Sequence, residues 1–207
     1  MIHTILESIL RHPQYYIKTQ SLLGANRLRE KCIAIIKPQP SDCILDIGCG
    51  PGQVLDYIPV PKQYYGFDTE KKYIEYASKK YSGRGKFFSC EFNSNFLVST
   101  KLEPIDKVFL LGILHHISNE NALELLKLIY TVLKPKGSIV SVDPCFTPNQ
   151  SLVSRFIANN DRGKFVRNEV GYRSLTKDLF TEIDIQIFNN VCRIPSTEII
   201  MHLTKDS

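Results

Sequence analysis

The sequence has no apolar run long enough to cross a bilayer, no Cys-x-x-Cys pair, no internal repeat and no low-complexity tract. The first absence excludes a membrane-spanning helix, so no stable membrane insertion is expected. The second argues against a structural zinc site, whose thiolates come in close pairs, and no metal is expected. The six cysteines, at 32, 43, 49, 90, 145 and 192, fall singly, several within apolar runs where a thiol packs as a small hydrophobe. That usage fits a reducing compartment, and the expected location is cytoplasmic. The opening "MIHTILESILRHPQ" has apolar residues at 2, 5, 6, 9 and 10, yet it carries Glu7 and lacks both a basic start and a small-residue cleavage site. It reads as an amphipathic helix rather than a secretion signal. Charge of one sign is scarce too: a net +5 permits an acidic substrate or weak nucleic-acid contact and requires neither.

What is present suffices for a single domain. A chain of 207 residues, 43% hydrophobic and 23% charged, builds one full core and not two ordinary ones. Residues 1–40 read as helices forming an N-terminal lid, with Asn26 as a cap and Pro38 as a stop. Over 41–143 short β-type runs such as "CILDI", "YYGFD", "KFFSC", "DKVFLLG" and "GSIVSVD" alternate with helical stretches. That alternation marks a parallel sheet with helices on both faces, a doubly wound α/β class. Residues 144–173 break the rhythm with prolines, paired asparagines, glycines and dense charge, as an insertion on the substrate side would. Residues 174–207 contribute a C-terminal helix and two alternating runs joined at "RIPS", read as an antiparallel pair closing the sheet edge.

The stretch "ILDIGCGPGQVLDY" carries the first chemistry: an apolar run ending in Asp46, glycines at 48, 50 and 52, then a helix-like pattern. Glycine turns between a strand and a helix bind ligands at the carboxyl ends of open α/β sheets. The dinucleotide fingerprint is G-x-G-x-x-G, whereas here the spacing is G-x-G-x-G and Gln53 stands where that fingerprint has glycine. A carboxylate at Asp46 repels pyrophosphate and attracts an ammonium or sulfonium group. Pro51 also removes one amide donor that a phosphate cradle would use. Asp68, 22 residues after Asp46, closes the second strand-like run, where an acid accepts hydrogen bonds from ribose hydroxyls. Glu91 closes the third, within reach of an adenine amino group. One acid after a strand is often only a helix cap. Three at successive strand ends, in register with a glycine loop, outline an adenosine site with a cationic tail.

These residues resemble the class I S-adenosylmethionine-dependent methyltransferases: "LDIGCGPG" is similar to that family's first motif, "YGFDTEKKYIEYASKK" to its second, and "DKVFLLGILHHISNENALELLKLIYTVLKPKGSIVSVDP" to its fourth-to-fifth region. The resemblance implies a Rossmann-like seven-stranded sheet in the order 3-2-1-4-5-7-6 with strand 7 antiparallel, and S-adenosyl-L-methionine as cofactor. It also implies cofactor contacts from Asp46, Gly48, Cys49, Gly50, Gly52 and Gln53, ribose contacts from Asp68 and Thr69, adenine contacts around Glu91 and Phe92, and backbone contacts at Leu111 and Gly112. The family more often has Asp where Glu91 stands.

Methyl transfer needs an aligned acceptor, exclusion of water and, for a hydroxyl nucleophile, a base. His115 and His116, in "GILHHIS" after the fourth strand, are the candidate catalytic residues. Within "PCFTPNQSLVSRFIANNDRGKFVRNEVGYR", Arg162, Arg167 and Tyr172 are the candidate acceptor-binding residues, since a guanidinium recognises phosphate or carboxylate through its planar fork. The expected acceptor is a small molecule, a sugar or a lipid-linked compound, and the arginines allow it to be anionic. An RNA substrate, suggested by "KKYSGRGK", is disfavoured because "LGILHH" stands where an Asn-Pro-Pro-Tyr type signature would. A non-catalytic binding subunit is disfavoured by the intact glycine loop and ribose acid.

Overall fold

The computed structural model describes residues 12–160 and 163–207; the apolar stripe at 2–10 and Arg162 lie outside them. Eight strands form the sheet: β1 (Cys43–Ile47), β2 (Gln63–Phe67), β3 (Lys86–Phe88), β4 (Ile105–Leu111), β5 (Leu133–Phe146), β6 (Arg167–Asn168), β7 (Glu182–Asn189) and β8 (Thr197–Thr204). The order is β3-β2-β1-β4-β5-β8-β7, with the two-residue β6 pairing off this path against β5. Strands β1 to β5 run parallel, and β8 runs antiparallel to both β5 and β7. With β6 set aside, this is the expected seven-stranded topology of a Rossmann-like α/β fold.

Successive side chains of a strand point to opposite faces, and here the faces have separate cores. Leu45, Val108, Leu110, Ile139 and Met201 share one cluster with Ala122, Leu126 and Ile129 of α5 (Asn119–Val132). Ile44, Phe109, Val140 and Ile200 share the other with Leu28, Cys32 and Ile36 of α2 (Ala25–Ile36) and Ala77 of α3 (Lys71–Lys80). The helix α1 (Pro13–Leu23) leads into α2 through Gly24, which ends one helix and starts the next at φ 93°. A Cβ on Gly24 would come within 3.0 Å of the Arg193 amide nitrogen, so both the left-handed backbone and the close approach require glycine. Asn26 therefore sits inside α2 rather than capping it, and its side chain joins Ser21 to Arg29.

One further expectation changes. The helix after the glycine loop is a single 3₁₀ turn, Gln53–Asp56. Pro59 and Pro61 follow closely and have no N–H to continue a helical ladder. The later helices are α4 (Ser94–Ser99), α6 (Leu152–Asn159) and α7 (Glu169–Ser174). Among the described residues no helix is long and apolar enough to cross a membrane.

Leu126 is fully buried at the centre of the α5 face. Leu126→Ala should cost about 2–5 kcal/mol of unfolding free energy by leaving a cavity against the sheet. Urea unfolding followed by circular dichroism measures this; a loss below about 1 kcal/mol would show that α5 is not a main anchor of that core.

Candidate active site

The glycine loop is closed by its own amides. Gly48, Gly50 and Gly52 all take positive φ, which alternate glycines make possible. The amides of Gly48 and Cys49 both donate to the Phe67 carbonyl, at 2.8 and 3.0 Å, and that of Gly52 donates to Cys49. Gly50 donates to Asp68 Oδ2 at 2.9 Å, while Asp68 Oδ1 accepts from the Glu70 amide at 2.8 Å at the start of α3. Every loop amide from 48 to 52 is thus committed, Pro51 having none, and what remains for a ligand is acceptor oxygen. A phosphate finds no donors here; a cationic group does find acceptors.

A cavity of about 800 Å³ opens at the strand ends beside this loop. Gly48, Asp68, Thr69, Glu91, Phe92 and His116 line it, so these six expected residues share one wall. Ile47, Phe67 and Ile113 add an apolar floor. Phe92 is buried edge-on to Phe67 at 5.2 Å, and Glu91 is exposed at the rim. Burial raises the Asp68 carboxyl above its ordinary range, and the Glu70 and Gly50 amides pull it back. Each oxygen already holds one amide but keeps a second lone-pair direction, which suits a diol.

The remaining expected cofactor residues lie elsewhere. Asp46 is buried on the face of Ile44, away from the cavity wall, where the Tyr64 hydroxyl donates to Oδ2. Strand parity turns it beneath the loop and away from the cavity. Burial pushes its carboxyl up to about 7, against the lowering effects of Tyr64 and Arg29. The Cys49 thiol is buried against Gly66, and burial holds its pKa well above the ordinary thiol value. Gln53 is buried and accepts from Arg29 at 3.4 Å. Gly50 lies near the Tyr16 ring of α1, which packs on Tyr73 of α3 at 4.9 Å; Gly52 is covered by Tyr81 and Ala77. Leu111 packs toward the α2 face, and the Gly112 amide donates to Val142.

On the acceptor side His115 is buried, with Nδ1 2.8 Å from Asp143 Oδ1, an oxygen that also accepts from the His115 amide at 3.1 Å. The ring's Cε1 faces Gly112 and its Cδ2 packs on Gly163, where any Cβ would overlap it. The Nε2 edge therefore points between these two glycines. His116 is exposed at the cavity, its ring 4.1 Å from that of His115. Asp143 is buried; burial raises its carboxyl, and the His115 bonds lower it.

Two of the residues expected to bind the acceptor turn inward. Arg167 is buried and points inward: Nε donates to Asn119 Oδ1, Nη1 to the carbonyls of Leu114 and Phe165, and Nη2 to that of Ile117. Four of its five donors are thus engaged, three of them on the turn from β4 to the start of α5 and one on Phe165. Tyr172 is fully buried, and its hydroxyl donates to the Pro144 carbonyl at 2.9 Å. Arg162 lies outside the described residues. Sequence reasoning passed over Asp143, although it closes "SIVSVD" at a strand end as the other acids do, and over Ile113, whose Cδ1 rests on Gly48.

Residues 44–137 match a family model described as a methyltransferase domain. Three solved structures share the fold. The N-methyltransferase NodS from Bradyrhizobium japonicum gives a TM-score of 0.65 at 13% identity, over 88% of this chain and 97% of that one. A SAM-dependent methyltransferase from Archaeoglobus fulgidus gives 0.68 at 17%, over 92% and 99%. A phosphoethanolamine N-methyltransferase of Haemonchus contortus, in complex with phosphomonomethylethanolamine and S-adenosylhomocysteine, gives 0.66 at 15%, over 87% of this chain and 52% of that one.

Two measurements test this geometry. Asp68→Ala should weaken S-adenosylmethionine binding by roughly one to two orders of magnitude, since it removes charged hydrogen-bond acceptors from both ligand and loop. Unchanged affinity by calorimetry, in a folded variant, would move the ribose elsewhere. Asp46 holds its proton more tightly folded than unfolded, so its contribution to stability is full below about pH 4 and is lost as pH rises through about 7. Asp46→Asn should then match the wild type near pH 4 and exceed it by about 1 kcal/mol or more at pH 8 in urea melts. A variant less stable than wild type at pH 8 would refute this.

Proposed function

We propose that the chain is a class I S-adenosylmethionine-dependent methyltransferase that methylates a hydroxyl of a small-molecule, sugar or lipid-linked acceptor, with His115 as the base. The cofactor, when bound, supplies an electrophilic methyl on a positively charged sulfur. The loop's acceptor oxygens and the acids Asp68 and Glu91 suit that cation and its adenosine. His115 receives the hydroxyl proton at Nε2 as the oxygen attacks. Asp143 fixes the tautomer by accepting a hydrogen bond from Nδ1–H, and its charge stabilises the imidazolium that results.

The observation that carries this reading is the 2.8 Å contact between His115 Nδ1 and a buried Asp143 carboxylate, on a turn whose next residue, His116, lines the cavity. A histidine that served only to cap a turn would not need a buried carboxylate behind it, because burying that charge is costly. Arg167 supports the arrangement by holding the carbonyls on either side of the histidines. Ile113, over Gly48, and Ile117 help keep water from the reacting atoms.

Incubating a cell extract with the protein and isotopically labelled methyl donor, then separating products by mass spectrometry, identifies the acceptor. With that acceptor, His115→Asn should lower kcat by about 10²–10⁴-fold and leave the donor Kd within about twofold. Asp143→Asn should lower kcat and shift the acidic limb of the pH profile. Full activity of His115→Asn would dismiss the base and point to an acceptor that needs none.

A further inference from the structure

Helix α6 is turned the wrong way round for a surface helix. A helix on a globular domain normally buries its large apolar side chains and exposes the small and polar ones. Here Ser154 and Ala158 are buried at 3% and 6% exposure, while Leu152, Val153 and Phe156 are exposed at 84%, 55% and 67%. The inward side is fixed by hydrogen bonds: Ser154 Oγ meets Thr197 Oγ1 at 3.1 Å and accepts from Gln150 at 2.9 Å. Rotating the helix to bury its apolar side would break that set. Leu152 and Phe156, at positions i and i+4, form one outward stripe with Val153 beside it.

One flank is basic. Arg155 is exposed and gives one donor to the Thr147 carbonyl, and Lys164 is exposed on the same insertion. Among the described residues no carboxylate pairs with either. The other basic residues of the insertion are engaged: Arg167 inside the protein and Arg173 with Glu169. Phe165, 39% exposed, ties this surface to the reaction site, because its amide donates to the His115 carbonyl.

We propose that the outer face of α6, with Arg155 on its flank, docks on the surface of an anionic lipid bilayer, and that the adjoining site takes an acceptor carried in that bilayer; this second half rests on the methyl-transfer reading above. An apolar stripe flanked by a guanidinium suits the boundary between acyl chains and anionic headgroups. A protein groove would need no such charges. The convex, single-helix surface with long aliphatic and aromatic side chains inserts shallowly, and one short helix gives reversible binding.

Co-sedimentation of the full chain with vesicles is the test. Vesicles of phosphatidylcholine with a third phosphatidylglycerol should retain the protein, and pure phosphatidylcholine should retain at least about tenfold less, the difference shrinking with salt. The double variant Leu152→Ser, Phe156→Ser should bind anionic vesicles at least about tenfold more weakly while keeping its circular dichroism and donor affinity. Arg155→Glu should weaken binding as well. Equal retention by both lipids, or wild-type retention of the double variant, overturns the docking. So does a wild-type dimer in sedimentation equilibrium that the double variant abolishes, which would assign the stripe to a second copy. With membranes and labelled donor, the label should enter the organic-solvent extract; label confined to the aqueous fraction overturns the lipid-borne acceptor while leaving methyl transfer standing.

Discussion

The Asp68 carboxylate is the tie on which the site depends. One oxygen holds the Gly50 amide of the loop after β1, and the other holds the Glu70 amide at the start of α3. Two neighbouring strand ends are thereby locked at one spacing, and the glycine backbone, which would otherwise lose much conformational freedom on binding, is already fixed. The loop also becomes a surface of acceptors, because its amides donate to Phe67, Asp68 and Cys49 rather than outward. Selectivity for a cationic nucleoside over a phosphate-rich one follows from where the loop's own hydrogen bonds go, before any ligand contact is counted.

Arg167 does for the acceptor side what Asp68 does for the cofactor side. The turn between β4 and α5 leaves carbonyls of Leu114 and Ile117 without helical or strand partners, and buried carbonyls need donors. One guanidinium supplies both and also holds Phe165 from its own insertion. The insertion is therefore stitched to the histidine turn, a coupling that Phe165 repeats through its amide to His115. Its basic composition serves two purposes: one arginine is a structural rivet, and only the outward cations remain to attract anything.

The sequence carried the sheet order, the glycine loop and the acids that face the cavity, because periodicity and strand-end position are local signals. It did not carry which way individual polar side chains turn. Arg167 and Tyr172 sit in a segment dense in charge and glycine, where no periodicity separates inside from outside, and both proved to be internal. The helix expected after the glycine loop shrank to one turn because Pro59 and Pro61 outweigh the helix-like pattern of "VLDY". Arg162 and the apolar stripe at 2–10 fall outside the described residues, so the structure adds nothing to either.

Asp46 and Asp143 show how far strand parity reaches. Both are buried carboxylates in the closing stretch of a central strand. Asp46 shares the face of Ile44, under the loop and toward α2, and its partner is the Tyr64 hydroxyl. Asp143 lies on the face of Ile139 and Cys145, the face that carries the cavity floor of Ile47 and Phe67, and its partner is His115. One residue of displacement along either strand would exchange these roles, since alternate positions point to opposite sides. Placement is therefore assigned by parity: the acid on the α5 face backs His115, and the acid on the α2 face lies beneath the glycine loop without touching the cavity. Counting from the apolar residues that fill each core would have separated the two from sequence alone, whereas the spacing from Asp46 to Asp68 could not.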